Sequence, residues 1–264
     1  MVSDSSLAYF RHDSALCDAL LTWQMAEVNA LGAPHLALRA ADLPYLAAQP
    51  WADQIRLLLF LDCVELSDAE REAIRAVARD GRTLAWVYAA GLATPAGFDP
   101  DGQAAITGIR VKLEERAGPL MVDSYLTGMR LRYGTDREIA PLLHGDDADA
   151  QIHGWEAYRG QPALLSKDMD GWLSIWSAAP CLPAELLRHL ATRAGAHLYT
   201  DTGDQVMAAG NLLALHAASP GLRQIRLPNT VTVYDAYSGE VVAETVDAFK
   251  VEMARGETAV WRVK

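Results

Sequence analysis

From Ile55 to Gly91 the chain passes through an apolar run, an amphipathic stretch and a second apolar run, which predicts three elements in order. Ile55-Arg56-Leu57-Leu58-Leu59-Phe60-Leu61-Asp62 is apolar at nearly every position, as a strand covered on both faces of a parallel sheet must be. Ser67-Asp68-Ala69-Glu70 has the spacing of a capping box, in which the hydroxyl caps the first amides and Glu70 reaches back. Leu66, Ala69, Ala73 and Val77, with Ile74 beside them, share the apolar side of the helix that follows. Glu70, Arg71, Glu72, Arg75 and Arg79 fall on its polar side. Asp80-Gly81 ends the helix, because glycine enters the left-handed conformation cheaply. Thr83 to Tyr88 is the second apolar run and closes on Ala89-Ala90-Gly91. Strand, helix and strand with tight connections make a βαβ unit with a right-handed crossover.

The flanks extend the alternation. Ser6 to Phe10 reads as a first strand, and Asp13-Ser14 caps a helix from Ala15 to Leu31 with Leu16, Leu20, Trp23, Ala26 (or Glu27) and Ala30 on its face. His35 to Arg39 is a second strand, and Ala41 to Ala48 a short helix interrupted near Pro44. Such β-α-β-α-β order predicts a parallel sheet with helices on both faces. Leu92 to Gly102 holds too many breakers for an element. Leu126–Arg132 and Ile139–Leu143 read as edge strands, and Gln161–Leu165 with Trp172–Ser177 as a strand pair. Pro183 opens a helix running to Ala194, and residues 194–217 read as strand, turn, strand, turn, strand. From Gly221 the pattern becomes five alternating strands with a hairpin at Tyr237-Ser238-Gly239. The expected division is therefore an α/β domain over residues 1–220 and a small β appendage over 221–264.

Composition narrows the function. A net charge of -11 speaks against nucleic acid and anionic membrane as partners, since both need positive patches. Cys17, Cys63 and Cys181 lie far apart without CxxC spacing, so neither a disulfide framework nor a zinc site is expected, and no cofactor is. The N-terminus lacks a basic region followed by an apolar one, and no run of eighteen apolar residues occurs, so the expectation is a soluble, cytoplasmic protein.

The run "LLLFLDCVELSDAEREAIRAVARDGRTLAWVYAAG" from Leu57 to Gly91 resembles the amidotransferase-like middle domain of bacterial β-galactosidases and related large glycosidases. That domain, often called the trimerisation domain, follows a catalytic barrel, precedes a small β domain and belongs to the class I glutamine amidotransferase-like group. "AGAHLYTDTGDQVMAAGNLLALHA" is a second stretch with the same resemblance. The resemblance implies a flavodoxin-like α/β fold and a non-catalytic role in a homo-oligomer (trimer or dimer), with a glycosidase barrel as partner. Laid on the G-x-C-x-G elbow of an active amidotransferase, Val87-Tyr88-Ala89-Ala90-Gly91 places Ala89 where the nucleophilic cysteine belongs, so no acyl transfer can start there. The glycosidase carboxylates of the relatives lie in the barrel and have no counterpart in this chain.

Other constellations carry alternatives. Trp155, Tyr158, Trp172 and Trp176 form an aromatic cluster able to stack on sugar faces, which makes carbohydrate a candidate ligand. The plain alternative is that Trp172 and Trp176, on one side of a strand, belong to core or interface. His144, Asp146, Asp147, Asp149 and His153 carry ligand-type atoms in a short acidic stretch, the region an unrecognised metal hydrolase would use. A solvated turn explains them as well, and no metal is assigned. Asp201-Thr202-Gly203 spells an aspartic-protease triplet without the second copy that chemistry needs, and reads as a turn.

Overall fold

The computed structural model of the chain describes residues 1–4, 6 and 14–264. The expected strand over Ser6–Phe10 lies largely outside the described residues. Two compact units emerge: residues 1–25 with 37–186, and residues 26–36 with 187–264.

Helix α1 runs through Ala15–Cys17, Asp18–Trp23 and Gln24–Asn29, the middle segment being π-helical, and only its part up to Met25 belongs to the first unit. The wider turn rotates the inward stripe relative to the expected one. Trp23 sits outside with the Arg137 guanidinium 4.7 Å over its ring, while Gln24 is fully buried and holds both the amide and the carbonyl of Leu182. After α2 (Leu43–Ala47) comes the βαβ unit as read: β1 (Leu57–Phe60), α3 (Asp68–Val77) and β2 (Thr83–Val87). The capping box is closed in both directions, which carries Glu70 into the interior and leaves Ala69 exposed, the reverse of the expected sides. The helix stops at Val77 with Ala78 as its C-cap, earlier than expected, and Asp80 and Gly81 with positive φ form the turn that leads into β2. The loop beyond β2 holds a minimal hairpin, β3 (Ala93–Thr94) with β4 (Gly97–Phe98), and leads into α4 (Pro100–Thr107).

Then follow β5 (Val111–Glu114), β6 (Gly118–Ser124), β7 (Leu131–Ile139), β8 (Leu142–Gly145), β9 (Gln151–Glu156), β10 (Pro162–Met169) and β11 (Trp172–Ser177). Residues 126–130, expected in a strand, are the turn between β6 and β7, and Ile139–Leu143 is divided between two strands by the bend at Pro141.

The main sheet has seven strands in the order β1-β2-β11-β10-β9-β6-β7. Only β1·β2 and β2·β11 are parallel; the other four neighbouring pairs are antiparallel. The expectation of a flavodoxin-like parallel sheet is thus corrected to a mixed and largely antiparallel one. The physical cause is connection length. β10 and β11 are joined by Asp170-Gly171 alone, and a two-residue turn with glycine at φ 80 can only return the chain antiparallel. Beyond β1, Val2 makes parallel bridges to Asp62 on one side and Arg39 on the other.

The second unit takes in α5 (Ala184–Arg193) from Leu187 onward and a five-stranded sheet in the order β12-β13-β16-β14-β15. Its strands are β12 (Gln205–Ala209), β13 (Leu212–His216), β14 (Gly221–Asp235), β15 (Val241–Met253) and β16 (Thr258–Val263). The strands after Gly221 therefore share a sheet with β12 and β13, and two long bulged strands replace four of the short ones expected. Val206, Leu213, Leu215, Ile225, Val233, Phe249 and Trp261 form its core. Asp201-Thr202-Gly203 is a turn, whose Thr202 hydroxyl reaches Asp204. Among the described residues no helix is long and apolar enough to cross a membrane.

Candidate functional site

In open α/β sheets, ligands settle beyond the carboxyl ends of parallel strands. At that end of β2 the backbone turns sharply at Tyr88, which takes φ 64, a conformation that costs a bulky side chain on the order of 1–3 kcal/mol. Neighbours hold it there. The Tyr88 amide donates to the Ser177 carbonyl at 2.7 Å, its carbonyl accepts from Trp176 Nε1 at 2.8 Å, and its hydroxyl donates to the Pro141 carbonyl at 2.7 Å. Burial pushes the phenol above its usual range, so it stays protonated. The strained position is one residue ahead of Ala89, and neither residue offers a nucleophile: one is a tethered phenol and the other a buried methyl group.

Beside this turn lies a cavity of about 330 Å³ lined by Leu16, Val64, Tyr88, Ala89, Leu92, Ala93, Thr94, Gly97, Phe98, Ala140 and Pro141. Its walls are almost wholly apolar, with the Thr94 hydroxyl already donating to the Gly97 carbonyl. Arg71 fixes the loop that forms the wall: Nε donates to Leu66 O, Nη2 to Gly91 O and Nη1 to Gly102 O at 3.1, 2.8 and 3.0 Å. An exposed-face reading of Arg71 missed this, because helical period cannot tell a solvated arginine from one that reaches round its helix end. Arg71→Met should cost about 2–3 kcal/mol through three lost charge-assisted bonds. The amides of Leu92 and Asp99 should lose hydrogen-exchange protection ahead of the β2 amides; unchanged protection at those two sites would contradict the tie.

Two further groups stand at the end of β1. Asp62 is fully buried, and neither carboxylate oxygen has a hydrogen-bond partner among the described residues; burial pushes its pKa up to about 7. One signal could have found it, a carboxylate closing an otherwise apolar run. Cys63 is buried too, and desolvation pushes its thiol up to about 12, so it remains an unreactive thiol.

The predicted aromatic cluster does not gather in one place. Trp176 is completely buried on β11, and Trp172, at the start of that strand, is half-buried. Trp155 on β9 and Tyr158 just beyond it are 41% and 62% exposed, and Tyr125 joins them from the end of β6 at 55%. Tyr125 was missed because nothing in its local sequence places it beside β9; its amide bonds the His153 carbonyl.

The acidic stretch is pinned by ordinary polar contacts. Asp147 takes Lys167 Nζ at 2.9 Å and the amides of Arg110 and Asp149, His144 faces Glu114, and His153 Nε2 lies 2.7 Å from Ser166 Oγ. Among the described residues, no three His, Cys, Asp or Glu side chains come together as metal ligands would.

No protein-family profile matches the chain, and neither does any curated protein. Solved structures do. The chain superposes on β-galactosidase from Bacillus circulans sp. alkalophilus with a TM-score of 0.66 at 11% identity, over 93% of this chain and 37% of that one. A GH42 β-galactosidase, Gan42B from G. stearothermophilus, gives 0.62 at 13% identity over 97% of this chain and 37% of that one. The β-galactosidase of the Antarctic haloarchaeon Halorubrum lacusprofundi gives 0.60 at 14%, over 98% of this chain and 37% of its own. The shared property is fold, and this chain spans about a third of the length of those proteins.

Proposed function

We propose that the chain is a non-catalytic scaffold of the β-galactosidase type, an amidotransferase-like domain that self-associates and supports a glycosidase barrel. The observation that carries this reading is that nearly the whole chain takes the fold of one third of several β-galactosidases. Sheet order adds support for a flavodoxin-like ancestry. The bridges of Val2 to Arg39 and Asp62 continue the parallel part of the sheet, so that segments 38–40, 1–3, 57–62, 83–87 and 172–177 lie side by side. Numbered along the chain, that is the order 2-1-3-4-5 of the flavodoxin type, with the antiparallel strands added at one edge. The turn after β2 keeps the strain of an elbow without its nucleophile, as expected of an amidotransferase-like domain that has lost its chemistry. Three cysteines without disulfide spacing and a net charge of -11 fit a cytoplasmic setting and give no footing to nucleic acid.

The reading predicts that the purified chain turns over neither a chromogenic β-galactoside nor glutamine. Sustained turnover of either, abolished by a point substitution in this chain, would overturn it.

A further inference from the structure

We propose that the outer face of β6, β7 and β9 is a saccharide-binding platform, with Tyr125, Trp155 and Tyr158 as stacking rings and an Arg130–Asp123–Arg132 cluster as the hydrogen-bonding group beside them. Strand register sets the arrangement. Asp123 pairs directly with Trp155 on one side and Arg132 on the other, so three side chains form a single row across three strands. Neighbours in such a row stand about 5 Å apart, the scale of one sugar ring. Tyr125 is held against β9 by its bond to His153, and Tyr158 by its amide bond to the buried Glu156 carboxylate at 3.1 Å. All three rings are well exposed, Trp155 on β9 itself and Tyr125 and Tyr158 just past strand ends where backbone bonds hold them, so binding would order few groups.

The charged cluster is pre-set. Asp123 Oδ1 accepts Nε of Arg130 and Arg132 at 3.2 and 2.8 Å, and Oδ2 accepts their Nη2 groups at 2.9 and 2.7 Å. These bonds hold the carboxyl well below the usual carboxylate range, so it is occupied as an acceptor and unsuited to proton transfer. Both Nη1 groups remain without a protein partner among the described residues, and both arginines are about half exposed. A pyranose presents a C–H face that stacks on an indole or phenol and hydroxyls that accept from a guanidinium. A protein partner fits less well, because an interface core excludes charge and here Asp123 and Arg132 are two of the three side chains in the row.

The test is calorimetric titration of the intact chain with neutral oligosaccharides of galactose, glucose and mannose. Saturable binding of at least one is expected, weakened about tenfold or more in Trp155→Ala and unchanged in Trp172→Ala on β11. Tyr158→Ala, a substitution at an exposed turn that should leave folding intact, should weaken it severalfold. Absence of binding by all three sugars, or binding that survives Trp155→Ala in a folded variant, overturns the proposal. A Trp155→Ala variant that changes solution mass, with no sugar bound by the parent, would make this face a contact between copies instead.

Discussion

Replacing Arg223 by methionine should destabilise the second unit by about 3–5 kcal/mol, since it leaves a buried carboxylate without its counter-charge. Arg223 and Asp204 are almost completely buried and paired through two bonds, Nε to Oδ2 at 3.0 Å and Nη2 to Oδ1 at 3.1 Å. The same guanidinium donates to the carbonyls of Ser219 and Gly221, and Asp204 also accepts from the Ala218 amide and the Thr202 hydroxyl. The pair therefore closes the segment between β13 and β14 onto the turn before β12. Burial pushes the Asp204 carboxyl up, and the bonds from Arg223, Thr202 and Ala218 more than reverse that. Its folded value lies below 3.8, so its contribution is present above that pH and is lost on further acidification. Thermal or urea unfolding monitored in the second unit measures the loss. Asp204→Leu combined with Arg223→Met should recover much of it, because two apolar side chains bury no charge. A single variant as stable as the parent would contradict the assignment.

The second large effect is expected at Asp62, with the opposite pH sense. Below 3.8 both folded and unfolded chains carry its proton, and the residue costs nothing electrostatic. Between 3.8 and about 7 only the folded chain keeps the proton, so stability falls as pH rises. Above about 7 the charge is buried without a partner among the described residues, and the accumulated cost is about 4 kcal/mol at 1.36 kcal/mol per unit. Asp62→Asn removes the charge and leaves an unpartnered amide, which costs about 1–3 kcal/mol at every pH. The stability difference between variant and parent should therefore change sign, with the variant weaker near pH 4 and stronger near pH 8. Curves that stay parallel across that range would show that the Asp62 carboxylate is solvated or paired.

Local signals in the sequence carried the βαβ unit from Ile55 to Tyr88, because a capping box, an Asp-Gly turn and two buried strands depend on near neighbours. The strand pair ending in Trp172–Ser177 and the hairpin at Tyr237-Ser238-Gly239 were legible for the same reason, although β10 runs on to Met169, beyond the expected Leu165. Non-local facts were not. The direction of β6, β7, β9 and β10 depends on which strand each meets, and periodicity contains no such information. The π-helical turn in α1 moved Trp23 outward and Gln24 inward, a rotation that a fixed helical period cannot anticipate. Trp155 and Trp176 look alike in sequence, yet one lies open on β9 and the other is sealed in the core. Arg71, Asp62 and Arg223 share a single difficulty: a charged side chain reads as solvated until its burial is known.

The central claim is that this chain assembles with itself, and light scattering of the purified chain over a wide concentration range tests it most directly. The scaffold account predicts a mass that is a fixed multiple of the 28.7 kDa chain, two or three copies, independent of dilution. A mass of one chain at every concentration would contradict it.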